Sequence, residues 1–366
     1  MSLLTFDIAK CVHTSNKAAI CDACVEACPV ETIRLDEGRI SFVPAECVGC
    51  GGCGAVCPTA AYTLDDFNPI NYVFRTVKEE RDVLSCRDGI LPCIAALATE
   101  ELIAAALLSQ RSLTLDTGPC AECPIAGVNL AIIEERAEEA AFVLEAMEQE
   151  VTVRAEAAGE EPEVRSEEIS RRELLSKDGV KTVLAMKQRF DNRVEAADDA
   201  RRHHEVTAEA VKAITQKTLP DRRSLLMMAM KRAKVPETFH TIAAEDISFT
   251  SQKKLDEATC TACQMCYRIC PTGALSSDAR NAVINFNPLS CVKCHSCHDV
   301  CEPDALTLSP VFSLANFFDP KIETLVRFTI RRCDECGNFF TYHGGETMCE
   351  RCKTEEEEAR ALWGVK

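Results

Sequence analysis

Aromatic residues make up only 5% of this 366-residue chain, and there is a single tryptophan, Trp363. Aromatic packing therefore cannot hold most of it together. No apolar run approaches the roughly 18 residues that a membrane-crossing helix needs. No N-terminal stretch joins a basic region to an apolar segment and a small-residue cleavage site. Both absences predict a cytoplasmic protein with no direct membrane insertion. The chain also lacks a P-loop and a G-x-G-x-x-G followed at the required distance by an acidic residue, so no nucleotide or flavin site is expected. Basic residues are outnumbered, 41 Lys and Arg against 58 Asp and Glu, for a formal charge of −17. Such a surface repels nucleic acid and anionic membranes and favours partners with basic or apolar docking patches.

What the chain does have is 24 cysteines. In a reducing compartment, regularly spaced cysteines bind metal rather than form disulfides. The first group is Cys11, Cys21, Cys24, Cys28, Cys47, Cys50, Cys53 and Cys57, and the second is Cys86, Cys93, Cys120 and Cys123. After 136 residues without cysteine come Cys260, Cys263, Cys266 and Cys270, then Cys291, Cys294, Cys297 and Cys301. Cys333, Cys336, Cys349 and Cys352 close the series.

Short apolar alternations at 32–35 and 39–43 flank Asp36-Glu37-Gly38 and predict a hairpin. The arrangement recurs at 274–286, and each half ends in a short strand, at 61–64 and 305–308. This is an internal repeat of about 50 residues. Between the repeats, helical spacing predicts helices over 94–108 and 125–147, with a strand at 112–115. Residues 148–168 are glutamate-rich and predict an exposed linker that would let the two halves sit apart or move. Ser170 and Glu173 fit a capping box opening a helical region that runs to Lys217, and a further helix is expected from Pro220 to Lys234. Met227, Met228 and Met230 read as core filler, and His203-His204 as a charged helix surface rather than a ligand pair.

A cubane cluster needs thiolates converging from several directions. C-x₂-C-x₂-C supplies three from one tight loop, and in C-x₂-C-x₂-C-x₃-C-P the fourth cysteine ligates the other cluster of a pair. Residues 47–58 and 260–271 match this pattern in full, and 291–303 matches it with the proline one place late, at Pro303. The first run departs more, because nine residues separate Cys11 from Cys21. The crossing rule gives four complete sets: Cys11, Cys21, Cys24 and Cys57; Cys47, Cys50, Cys53 and Cys28; Cys260, Cys263, Cys266 and Cys301; Cys291, Cys294, Cys297 and Cys270. With every iron held by cysteine there is no open position for substrate, which favours electron transfer over chemistry at the metal. Four filled sites would take the assembly to about −25.

On these motifs, residues 1–68 and 250–312 each resemble a bacterial bicluster ferredoxin domain, and the whole is similar to the polyferredoxin subunits of anaerobic redox complexes. LSCRDGILPC at 84–93 and GPCAECP at 118–124, with a helix and a strand between them, resemble the iron–sulfur domain of the methyl-viologen-reducing hydrogenase delta subunit. That family passes electrons between a hydrogenase and heterodisulfide reductase. Its members usually have five cysteines, whereas this chain has four, so the type of a fifth cluster at Cys86, Cys93, Cys120 and Cys123 stays open, with a redox-active or structural dithiol as the alternative. Cys333, Cys336, Cys349 and Cys352 form two knuckles that resemble a zinc ribbon, with mononuclear iron as the other candidate. His343 reads as a surface residue.

The expected fold is α+β and multidomain: bicluster ferredoxin-like domains at 1–68 and 250–312, a small α/β cysteine module at 72–147, an acidic linker at 148–169, a helical insert at 170–248, a zinc-ribbon-like domain at 325–355 and an acidic tail at 356–366 carrying Trp363 as a partner anchor. The expected function is a non-catalytic electron-transfer subunit in a hetero-oligomer with catalytic oxidoreductase subunits of hydrogenase, formate dehydrogenase or heterodisulfide-reductase type. The alternative is a redox enzyme with its catalytic thiol or cluster at Cys86, Cys93, Cys120 and Cys123.

Overall fold

The computed structural model describes residues 4–158, 216–342 and 344–364. The Ser170 capping box, His203-His204 and His343 lie outside the described residues.

The first module is closed by a strand from before its cysteines. β1 (Leu4–Phe6) precedes the short helices α1 (Val12–Ser15) and α2 (Ala23–Glu26), the hairpin β2 (Ile33–Asp36) and β3 (Arg39–Phe42), then α3 (Gly52–Val56) and β4 (Tyr62–Leu64). β1 runs antiparallel to β4 with Leu4 opposite Leu64, while Ile33 of β2 faces Phe42 of β3. The core of this unit is small, and Cys24, Cys28, Cys53 and Cys57 are part of it beside Leu4, Ile33 and Tyr62. A core built around thiols depends on whatever the thiols hold.

α4 (Pro69–Lys78) follows, started by Asn68, whose side chain accepts from the Asn71 N–H at 2.9 Å, and by proline in its first turn. It leads into a parallel sheet of β5 (Val83–Leu84), β6 (Leu113–Asp116) and β7 (Val153–Glu156), in that order. β7 corrects the expected linker. Leu113 pairs with Val153 and Asp116 with Glu156, so the α/β unit continues into the stretch that looked unstructured. Its glutamate-rich sequence is tolerated because β7 is an edge strand with Val153 turned inward and Arg154 outward. The crossovers are α5 (Thr99–Ser109) and α6 (Ala126–Ala146). The helix expected from residue 94 starts later: Ile94–Ala96 is a single 3-10 turn, Ala98 is extended, and Glu101 turns back to accept the Ala98 N–H at 2.7 Å. Residues 99 to 108 of α5 are all buried, which marks a central helix packed on every side.

One of its neighbours is α7 (Asp221–Met230), which starts one residue later and ends four residues earlier than the expected helix. Leu225, Leu226, Ala229 and Met230 pack into the core of the middle module, and Met227 lies against it. The chain then enters β8 (Thr241–Ala243) and the second cysteine module: β9 (Lys253–Leu255), α8 (Met265–Ile269), β10 (Leu275–Ser276), β11 (Val283–Phe286), α9 (Ser296–Asp299) and β12 (Leu306–Leu308). β9 pairs antiparallel with β12, Leu255 opposite Leu306, as β1 does with β4. The part of the expected helical insert that is described thus contains a strand as well as a helix, and β8 pairs with β13 (Val311–Ser313). After α10 (Ala315–Phe318), β14 (Glu323–Arg327) adds a third strand to β10 and β11. This corrects the expected start of the ribbon at 325, since Thr324 and Val326 face Asn285 and Ile284. The ribbon proper is β15 (Ile330–Arg332) and β16 (Phe339–Thr341), and α11 (Glu350–Trp363) carries its last knuckle straight into the tail. Among the described residues no helix is long and apolar enough to cross a membrane.

The expectation of separable halves is also corrected among the described residues. Asn16 Nδ2 of the first module donates to the Ser296 carbonyl of the second at 3.2 Å, and the Ile20 N–H reaches Asp299 Oδ2 at 3.4 Å. Leu289, Phe312 and Phe317 belong to the same core as α5 and α6.

Candidate metal centres

Wrapping a short loop around a metal forces the backbone into left-handed conformations, and these recur at fixed offsets. Gly49 and Gly51 have φ of 68° and 80°. Ala262 and Gln264 (54°, 70°) and Lys293 and His295 (49°, 59°) stand two and four residues after the first cysteine of their runs, as the glycines do. Three residues beyond each terminal cysteine stand Glu31, Ala60, Gly273 and Asp304, all at φ between 51° and 72°. The first run departs from the pattern at its front and rejoins it at Cys28. Its additional residues form α1 and the following turn, held by His13 Nε2 on the Cys21 carbonyl at 2.6 Å.

Cys11, Cys21, Cys24 and Cys57 line one cavity beneath Tyr62. Burial pushes Cys11 up to about 12, with the Cys57, Cys24 and Cys21 sulfurs adding to it, and Cys24 up to about 11. Thiols that resist ionisation this strongly become thiolates only against a bound cation. Around Cys53, whose thiol is raised foremost by burial, stand Cys50, Cys47, Cys24 and Cys28. Donors point at the sulfurs: Ala61 N–H to Cys57 at 3.3 Å, Gly49 N–H to Cys47 at 3.4 Å and the Tyr62 hydroxyl to Cys24 at 3.6 Å. Such hydrogen bonds set cluster potentials. The Asn129 amide, 1% exposed and without a hydrogen-bond partner of normal geometry, lies by Cys50 and draws its thiol down against the larger effect of burial. An orphaned donor beside converging thiols fits an anionic sulfur centre.

The second module repeats the arrangement. Cys260, Cys263, Cys266 and Cys301 line a second cavity. Burial raises Cys294 to about 12, and Cys291, Cys297 and Cys270 are its sulfur neighbours. Lys253, 4% exposed, points its ammonium at His298 Nε2 at 2.7 Å, and His298 Nδ1 donates to the Leu306 carbonyl at 2.9 Å. Burial and this ammonium hold His298 down to about 4, so the ring is neutral. The same lysine draws the Cys297 thiol down against burial.

The middle cysteines sit at the carboxyl ends of parallel strands, where open α/β sheets bind ligands. Cys86 and Cys93 follow β5, and Cys120 and Cys123 lie on the turn after β6. Asp116 joins these loops: it accepts from Ser85 Oγ at 2.8 Å, the Gly118 N–H at 3.0 Å and the Ala158 N–H at 3.1 Å. Burial pushes its carboxyl up, but these donors hold it below the usual range. Burial raises Cys93 to about 12, with Cys50, Cys86 and Cys120 adding to it. Cys93 thus stands between the middle group and the first ferredoxin module. The contact is tight, because a Cβ on Gly51 would come within 2.7 Å of the Ala96 Cβ.

At the C-terminus the four sulfurs of Cys333, Cys336, Cys349 and Cys352 lie within 4.8 Å of one another. Backbone N–H groups of Cys336 and Cys349 lower Cys333 to about 6, which favours the thiolate that a metal ion needs. Sequence reasoning missed Asn129, Lys253 and Asp116. Asp116 had a signal in its place at the end of a strand before Thr-Gly-Pro; the other two had none.

Residues 10–61 match the 4Fe-4S dicluster domain family, and residues 252–302 match a second 4Fe-4S dicluster domain model. Neither range includes the middle or C-terminal cysteines. The chain is 45% identical over 59 residues to a protein described as ferredoxin 7Fe from Hydrogenibacillus schlegelii, covering 16% of this chain and 69% of that one. It is 39% identical over 66 residues to a ferredoxin of Streptomyces griseus, covering 18% of this chain and 58% of the relative. An uncharacterized ferredoxin of Methanocaldococcus jannaschii is 33% identical over 63 residues, 17% of this chain and 94% of its own length. No solved structure gives a significant match. Two dicluster domains, each with eight cysteines on a repeated backbone, place this chain in the 4Fe-4S ferredoxin family.

Proposed function

We propose that the chain is an electron-transfer subunit that relays electrons between a catalytic oxidoreductase and its redox partner. The observation that carries this reading is completeness: four sets of four cysteines, all buried or half-buried except the exposed Cys263, so that each iron of a cubane has its own cysteine and none is left open for substrate. The ligand sets follow the crossing rule: Cys11, Cys21, Cys24 and Cys57; Cys28, Cys47, Cys50 and Cys53; Cys260, Cys263, Cys266 and Cys301; Cys270, Cys291, Cys294 and Cys297. Clusters held there supply one-electron transfer. The protein's own part is to exclude water, aim N–H donors at sulfur and fix the spacing of the centres. Cys86, Cys93, Cys120 and Cys123 hold a fifth iron–sulfur centre, and Cys333, Cys336, Cys349 and Cys352 hold structural zinc. The partners are oxidoreductase subunits of hydrogenase, formate dehydrogenase or heterodisulfide-reductase type, met in the cytoplasm.

Anaerobic purification of the native complex, with its subunits identified and iron, sulfide and zinc counted, tests this. Roughly sixteen irons mean four cubanes, roughly twenty a fifth, and fewer than about twelve would sink the ligand sets. A second reading, a redox enzyme acting at the middle centre, is favoured by the half-exposed state of its four cysteines at the strand ends. Loss of activity on alkylating those four thiols alone would select it.

A further inference from the structure

Two adjacent arginines at the start of α7 point in different directions. Arg222 Nη1 donates to the carbonyls of Gly54 at 3.2 Å and Ala55 at 3.1 Å, and its Nη2 donates to the Cys57 carbonyl, all in the first module. Arg223 Nη1 donates to the carbonyls of Leu289 at 2.7 Å and Cys291 at 2.9 Å, and its Nη2 to that of Phe249, all in or beside the second. Both pair with one carboxylate, Glu100 of α5, at 2.8 and 2.6 Å. The arginine side chains are 8% and 0% exposed. Cationic charge is therefore in excess in a buried place bounded by a cysteine of each module.

The second observation is independent of the arginines. The nine residues between Cys11 and Cys21 are where this run departs from the usual spacing, and they are also where the first module touches the second. Asn16, 4% exposed, bonds the carbonyl of Ser296, which lies between Cys294 and Cys297. Ile20, next to Cys21, donates its N–H to Asp299 Oδ2 at 3.4 Å. Every cysteine at this junction belongs either to the set of Cys11, Cys21, Cys24 and Cys57 or to that of Cys270, Cys291, Cys294 and Cys297.

We propose that these two centres face each other and form the electron crossing between the modules, with Arg222, Arg223 and Asn16 as its positioning residues. Cys93 beside Cys50 makes the corresponding joint at the other end of the first module. The path then runs from the middle cysteines to the Cys28/47/50/53 centre, the Cys11/21/24/57 centre, the Cys270/291/294/297 centre and last the Cys260/263/266/301 centre. Clusters held by these cysteine sets would supply one-electron exchange, one set losing the electron that the next gains, while the chain's own residues fix the spacing of the sets. Two anionic centres brought close repel each other, and the buried guanidinium charge offsets that repulsion. This inference rests on the relay reading proposed above.

The test uses the full-length holoprotein, reduced anaerobically, with iron and sulfide counted. Its EPR spectrum is recorded, and electron redistribution is followed after flash photoreduction. Asn16→Leu removes the amide donor. Arg222→Lys keeps the charge but loses the fork of carbonyl bonds, and Asp299→Asn changes only the half-exposed rim of the junction. The expected result is unchanged iron content, loss of the spin–spin broadening between modules, and redistribution slowed about tenfold or more in Asn16→Leu and Arg222→Lys. A wild type without inter-module coupling, or variants that redistribute electrons at the wild-type rate, would overturn the crossing and leave the relay standing. Should either core variant lose iron, the comparison of Asp299→Asn with wild type decides, an unchanged spectrum and rate counting against the crossing. Wild-type protein with fewer than about twelve irons would sink the relay reading itself.

Discussion

Arg223 meets Glu100 at 2.6 Å with its guanidinium wholly removed from solvent, and the same carboxylate holds Arg222 at 2.8 Å. One acidic group thus anchors two cations whose remaining bonds reach both ferredoxin modules. Glu100→Ala should lower stability by about 3–5 kcal/mol, since it strands buried charge. The readout is the urea midpoint for loss of helical signal, and a shift no larger than that of a surface glutamate variant would refute the anchor.

Glu101, the next residue, carries a pH dependence. Burial pushes its carboxyl up to about 7, against the Ala98 N–H and the charges of Arg222 and Arg136, which pull it down. The folded chain keeps this proton to about pH 7, while the unfolded chain releases it near pH 4.3. Glu101 therefore favours folding most below about pH 4, and its contribution falls as pH rises through 7. Glu101→Gln should gain stability on wild type between pH 5.5 and 8. Parallel curves of urea midpoint against pH for the two proteins would show the assignment to be wrong.

Gly51 combines a positive φ with a near-contact. Gly51→Ala should cost about 1–3 kcal/mol and disturb the Cys28/47/50/53 centre, because the loop must leave Ala96. Gly89, also at positive φ but with open space around it, is the control, and Gly89→Ala should cost no more than about 1 kcal/mol. Thermal midpoints and the EPR line shape compare the two.

For the middle centre, Cys86→Ser and Cys93→Ser should each lower iron by about two to four atoms per chain while the other clusters persist. Only Cys93→Ser should also alter the signal of the neighbouring ferredoxin centre, because only Cys93 lies by Cys50. Identical spectra for the two variants would remove the joint.

The C-terminal site should behave as a separate unit. Cys349→Ser should abolish one bound metal and loosen residues 330–364 while leaving the iron count intact, as elemental analysis and hydrogen exchange would report. Loss of iron together with that metal would contradict the separation.

The repeated cysteine runs, the hairpins at 33–42 and 275–286 and helix α6 could all be read from spacing and periodicity, because each rests on local pattern. β1 could not. Its three residues carry no period, and its partner, Tyr62–Leu64, lies far along the chain. β7 and β14 were hidden for the same reason, being strands only where β6 and β11 offer an edge. Arg222 and Arg223 were the deepest miss. Two charges opening a basic helix look solvent-facing, and only the bare carbonyls of folded cysteine loops show why they are inside. The left-handed Gln264 and His295 were equally illegible, although Gly51 at the same offset hinted at the turn.

The packing of α7 against α5 has a consequence for synthesis. α5 ends at Ser109 and α7 ends at Met230, so about 120 residues separate the completion of an apolar helix from the arrival of its cover. A ribosome adding 5–20 residues per second leaves that surface open for roughly 6–24 s. During that interval the first cysteine module has already emerged while Arg222 has not. A nascent chain in this state is the form that a chaperone or a cluster-delivery factor would meet.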